Sequence, residues 1–172
     1  MTLVLSGNTG SALDGIKNSL MFLETAKATT SGTSIDFTGI PSWAKKITII
    51  LNGVSTNSTG TLLIQIGSAS VVTSGYASAL TSGVTTTTVT NGFAADANRG
   101  AASLSNGSVI LKTLGSNIWV ETGLVSNPLA TVSISTGTLT LGGILDRIRL
   151  TTASGTDTFD AGSINILIEG YV

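Results

Sequence analysis

The sequence predicts an all-β fold: an antiparallel β-sandwich, jelly-roll-like, preceded by a short N-terminal arm. Three observations carry that reading. Apolar residues recur in short runs, several alternating with polar ones at period two; turn-forming residues separate the runs at intervals of roughly 8 to 12 residues; and no stretch sustains a helical period beyond two heptads. Ile, Leu, Val and Ala supply most of the 41% apolar content, Thr and Ser dominate the polar positions, and there are 21 glycines. β-Branched side chains favour extended backbone and glycine supplies the turns, so composition and pattern agree.

The elements follow in order. The one candidate helix is SALDGIKNSLMFLETAKA, where Leu13, Ile16, Leu20 and Leu23 are spaced three, four and three residues apart behind a Ser11 cap. Gly15 and Asn18 weaken it, which favours a strand over residues 20–29 that turns at TTSGT into a second strand, SIDFTG. KKITIIL, TLLIQIG, SVILKT, NIWVET and SINILIEG are too short for helices and read as sandwich-core strands. TVSIST sets Val132 and Ile134 on one face against Thr131, Ser133 and Ser135, and TLTLGG repeats the alternation with Leu139 and Leu141, as strands half-buried on their apolar face. NGVSTNSTG, TNGF, SNGS, LGSN, STGT and TASGTD are the turns. The stretch 67–99 reads as long loops with VTTTTVT as an edge strand. A chain of 172 residues is sized for one domain, divided here as an arm over 1–19 and a sandwich over 20–172.

Composition excludes much chemistry. Cysteine and histidine are both absent, which removes disulfides, thiolate nucleophiles, histidine-dependent triads and the usual ligands of zinc, copper and haem. No cofactor and no metal is expected. Eight Lys and Arg against nine Asp and Glu leave a net charge of −1 without blocks, so neither nucleic acid nor a membrane surface is an expected partner. MTLVLSGNTG lacks the basic start of an export signal, and no run approaches the ~20 apolar residues of a membrane helix. Ser, Thr and Lys are the remaining nucleophiles. The lysines fall in turns or at strand ends, where solvation keeps them protonated, so an enzyme is not expected.

Asp157 and Asp160, in GTDTFDAGSINILIEG, look like a metal loop. The spacing fails the calcium pattern, because the next acid, Glu169, lies in a strand. The pair reads instead as the turn of a hairpin between LDRIRLTT and SINILIEG, with both carboxylates accepting backbone N–H bonds. Arg147 and Arg149 alternate with Ile148 and Leu150 and leave one sheet face together, paired across strands with an acid such as Glu169, or else binding a subunit or an anionic glycan. Trp43, Trp119 and Tyr76 are the candidate sugar-stacking surfaces. The two tryptophans weigh toward the core, Trp43 plugging one end of the sandwich, whereas Tyr76, in TSGYAS, is expected to be exposed.

TSGTSIDFTGIPSWAKKITIILNGVSTNSTGTLLIQIGS and LDRIRLTTASGTDTFDAGSINILIEG resemble segments of bacteriophage and prophage tail-fibre and other virion proteins. The resemblance runs from Thr30 onward, except the middle, and carries no catalytic motif. It implies a structural virion protein of a tailed phage, assembled in the host cytoplasm, homotrimeric, joined to other virion proteins through its N-terminal arm, and binding a host surface glycan by avidity. A long shaft and a chaperone domain of large fibres are missing. A capsid decoration protein and a free carbohydrate-binding module are the alternatives. Charged residues make up 10% of the chain against about 25% in ordinary soluble domains, and mean hydropathy is +0.44, which independently favours surfaces that meet copies of themselves.

Overall fold

The structure, a computed structural model, describes residues 19–171 other than 98, 102 and 128–130. The arm over 1–19 therefore lies outside the described residues except for Ser19. The strands are β1 (Ser19–Leu23), β2 (Lys27–Ala28), β3 (Ile35–Thr38), β4 (Ala44–Thr56), β5 (Leu62–Ser68), β6 (Ser70–Val71) and β7 (Ala77–Ser82). The chain continues through β8 (Thr85–Val89), β9 (Phe93–Asp96), β10 (Ser105–Gly115), β11 (Ile118–Asn127), β12 (Thr131–Thr140), β13 (Arg147–Thr152) and β14 (Phe159–Tyr171).

All pairings are antiparallel, and two sheets pack face to face as a β-sandwich. The large sheet runs β1-β14-β4-β10-β11-β12-β7-β8, with β2 also on β14; the small sheet runs β3-β13-β5-β6, with β9 also on β5. β10, β11 and β12 form a meander. The β10–β11 turn is tight: Gly115 pairs with Ile118 across Ser116 and Asn117, both at positive φ (51° and 59°), the type I′ conformation whose twist matches the strands it joins.

The core forms where the apolar runs predicted it. Ile47, Ile49 and Leu51 of β4, Val109 and Leu111 of β10, and Ile164, Ile166 and Ile168 of β14 meet Ile64 and Ile66 of β5 and Ile148 and Leu150 of β13. Fully burying one such side chain is worth about 1.5–3 kcal/mol. The region 67–99, expected as long loops, instead contains β6, β7, β8 and β9. VTTTTVT is indeed an edge strand, β8, while FAAD forms β9, a strand of the small sheet that is buried throughout.

β9 fits there because the large sheet leaves it room at Gly137, where a Cβ would stand 2.8 Å from the Phe93 ring. Hydroxyls then satisfy the backbone of this region. Ala94 N–H donates to Ser78 Oγ (3.0 Å) and Ser82 Oγ donates to the Ala97 carbonyl (3.1 Å), so groups that the sheet ladder leaves open are not orphaned in the interior.

Candidate interaction surface

β12 carries the feature that bears most directly on function. Its alternation is inverted with respect to expectation: Ser133 and Ser135 are buried, whereas Val132 and Ile134 point to solvent, Ile134 62% exposed. Parity explains it. Leu139 and Leu141 at the other end of the segment are buried at odd positions, and residues of one parity share a face, so the apolar residues at 132 and 134 must turn outward.

Those residues join a wider face. Strand register aligns Asn165, Ile50, Ser108, Leu124, Ile134, Thr81 and Thr86 in one row across seven strands of the large sheet. The next row is Leu167, Thr48, Ile110, Thr122, Thr136, Ala79 and Thr88. Neither row contains a charge. Leu124 is 57% exposed, and Ile50 and Val132 are exposed as well. Charges begin one row further, where Glu169, Lys46 and Lys112 lie in register and Lys46 pairs with Glu169 at 2.7 Å. A groove of about 590 Å³ runs along the β7–β8 side of this face, lined in part by Ala79, Thr88, Val120 and Thr136.

The outer face of the small sheet is built differently. Arg149 and Asp36 are direct register partners and form a bidentate pair, both N–H···O distances 2.7 Å. Arg147 pairs with Asp146 at 2.7 and 3.2 Å. The arginines thus do leave one face, but their acids are Asp36 and Asp146; Glu169 belongs to the other sheet. The guanidinium of Arg149, through its hydrogen bonds, holds the Asp36 carboxyl below the usual carboxylate range. Both arginine forks are occupied within the chain, which leaves little with which to bind an anionic glycan.

The aromatic candidates separate. Tyr76 is a correction: it is 2% exposed, with its hydroxyl accepting from Ile66 N–H at 2.8 Å and lying 3.0 Å from the Val72 carbonyl. Its ring meets Phe93 edge-on at 4.9 Å, and burial pushes the phenol up to about 12. It is a strut from the large-sheet side to β5, and the loop composition of TSGYAS concealed that. Trp119 is buried on the inward face of β11, and Trp43 is half-buried against the core. None of the three presents an open stacking platform.

Asp157 and Asp160 are not the turn of a hairpin. β13 and β14 belong to different sheets, and residues 153–158 cross between them. The backbone bonds in that crossing come from other side chains, Thr156 N–H donating to Ser154 Oγ and Thr158 N–H to Asn57 Oδ1. Both aspartates lie instead within electrostatic reach of Arg99, a buried guanidinium that donates to Thr56 Oγ1 (2.9 Å) and the Ser103 carbonyl (3.0 Å). Burial lowers the Arg99 pKa and the neighbouring carboxylates, Asp96 first, oppose that shift.

Sequence reasoning passed over two interior acids. Asp96 accepts from Ser105 (2.6 Å) and Ser133 (2.7 Å), with Arg99 Nε 3.9 Å away. Glu121 is fully buried, receives one hydrogen bond from Ser135 (2.7 Å), and has its second oxygen unpartnered; desolvation raises its pKa to about 7. The signal was there, because Glu121 shares parity with Trp119, so a core tryptophan places the glutamate in the core too. Among the described residues no group of three or more acids is placed to hold a metal ion. No protein-family model, curated protein or solved structure matches the chain.

Proposed function

We propose that the protein is a non-enzymatic structural component of a virion, a tail-fibre or host-attachment subunit of a tailed phage, and that it assembles as a homotrimer through the outer face of its large sheet. One observation carries this reading: two successive rows across seven strands bear no charge and expose Leu124, Ile134 and Ile50, with Val132 exposed on the adjoining row of the same face. An antiparallel sheet turned to water normally carries polar and charged residues on that side. Seven strands at about 4.8 Å spacing and two outward rows about 7 Å deep each make an uncharged strip of roughly 34 by 14 Å, on the order of 500 Å². That is more than half of the ~800 Å² per partner of a standard protein interface.

The virion context rests on the resemblance of the two long segments to phage tail proteins. Within it, repeated copies convert weak host contacts into firm attachment by avidity. The carbohydrate-binding module is the weaker alternative, since Tyr76 and Trp119 are buried.

Light scattering on the size-fractionated protein at micromolar concentration is expected to give the mass of a trimer; a strict monomer overturns the assembly. Purified trimer is then expected to compete with phage for adsorption to host cells. A trimer that fails to compete moves the assignment to capsid decoration.

A further inference from the structure

The small sheet's outer face holds a pocket of about 250 Å³, where the chain leaving β13 passes the turn at Asn91-Gly92. Two of the residues lining it, Arg149 and Gln65, are register partners on β13 and β5, and Asp36 of β3 is the next member of the same row. Side chains opposite one another in such a row stand about 5 Å apart, close enough to hold one small ligand together.

Gln65 is only 6% exposed although it shares the outward face with Arg149, because the turn lies against it: a Cβ on Gly92 would stand 3.3 Å from Gln65 Cγ. Its Nε2 donates to the Asn91 carbonyl at 2.7 Å, and Asn91 Nδ2 donates in turn to the Ala153 carbonyl at 3.0 Å. Gln65 Oε1 accepts no bond from the described residues and is not sealed in the interior. A near-buried amide ordinarily uses both its ends, so a clamped one with an open acceptor beside a pocket is suited to a ligand.

Arg149 supplies the complementary donor. It spends Nε and Nη2 on Asp36, both at 2.7 Å, and keeps Nη1. Arg149 alone is charged among the described residues lining the pocket, and Asp36 neutralises it. Ser34, Thr73 and Thr151 add hydroxyls, with Thr151 Oγ1 anchored on the Thr33 carbonyl at 2.9 Å. The walls are tied to one another before any ligand arrives, which lowers the ordering cost of binding.

We propose that this pocket binds one neutral sugar unit, one of two adjacent hydroxyls donating to Gln65 Oε1 and the other accepting from Arg149 Nη1. A pyranose offers such a pair, whereas a carboxylate meets Asp36 beside an arginine already engaged. The volume suits a single ring, being below the about 300–1,000 Å³ of drug-sized ligand sites. No aromatic side chain is among the lining residues, so binding rests on hydrogen bonds and is weak, in the millimolar range. The pocket lies on the opposite sheet from the uncharged rows and is argued from its own side chains, so it stands without the virion reading.

Titration of the isotope-labelled full chain with the methyl glycosides of glucose, galactose and mannose is expected to give saturable NMR shifts with at least one of them, centred on Gln65, Asn91 and Thr151 and including the Gln65 side-chain amide. Glycerol and the methyl glycoside of glucuronic acid are expected to give none. Gln65→Met keeps the side chain's length without its acceptor and should weaken binding about tenfold or more. That change also frees the Asn91 carbonyl, so Thr73→Leu, at an exposed rim position, provides a second reading: it should narrow the mouth and weaken the same sugar with the melting temperature unchanged. Any of four results overturns the proposal: no saturable shift with the three glycosides, equal binding of glycerol or the glucuronoside, shifts centred on other residues, or full affinity in either variant that folds.

Discussion

The two outer faces of the sandwich have the same backbone and opposite chemistry. On the small sheet the charges that leave the face are paired in place, Arg149 with Asp36 across β13 and β3 and Arg147 with Asp146 beside it. On the large sheet two full rows have no charge, and the apolar residues of β11 and β12 stand in the open. The first face is finished by water; the second, in the assembly we propose, is finished by another surface. Alternation in a strand says which residues share a face, and the rest of the sheet decides which face is inside.

The largest expected effect comes from charging the uncharged face. Leu124→Lys with Ile134→Lys should weaken self-association by about 100-fold or more, equivalent to about 2.7 kcal/mol, as read by sedimentation. The circular dichroism and melting temperature of the monomer should stay close to wild type, since both positions are exposed. Retained assembly would erase the distinction drawn between the two faces.

Glu121 lies on the reverse side of β11, beneath that face. Its carboxyl titrates near pH 7 in the fold, against an ordinary value of 4.5, so the folded chain holds a proton that the unfolded chain has lost between those values. Stability is therefore greatest below about pH 4.5 with respect to this group, and falls as pH rises through about 7. Glu121→Gln keeps an acceptor for Ser135 and carries no charge. It should stabilise the protein at pH 8 by on the order of 3 kcal/mol and flatten the slope of urea midpoints between pH 5 and 8.

On the small sheet the effects should be modest. Asp36→Asn is expected to cost about 0.5–1 kcal/mol at pH 7, because a partly exposed pair is screened by solvent even when bidentate, and it should leave the oligomer unchanged. Asp36 has a lowered pKa in the fold, so its contribution is present above the ordinary carboxylate range and is lost as pH falls through the lowered value. Arg147→Gln, on a partly exposed pair between chain neighbours, should barely alter the melting temperature and leave the mass unchanged, the smallest effect of the series.

Much of this was legible in the sequence. Ile-rich runs gave β4, β10, β13 and β14, and LGSN gave a turn whose two central residues take positive φ. Residues that sequence misplaced share a physical cause: their environment comes from strands distant in the chain. Tyr76 looks like a loop residue until β5 and β9 close on it, and Asp157 looks like a turn residue until β13 and β14 fall in different sheets. FAAD is too short and too plain to announce a buried strand; what makes it one is Gly137 and three serines, Ser78, Ser105 and Ser133, on other strands. The outward turn of Val132 and Ile134 was within reach, since their parity conflicts with that of Leu139.

The pairing of β1 and β2 with β14 sets a timetable for biogenesis. β14 also forms one whole flank of β4, so a nascent chain holds Ile47, Ile49 and Leu51 ready for a strand that the ribosome has yet to make. The large sheet can close only after β14 has emerged. Until then the waiting chain is rich in unpaired strand edges, and this is the stage at which aggregation competes with folding.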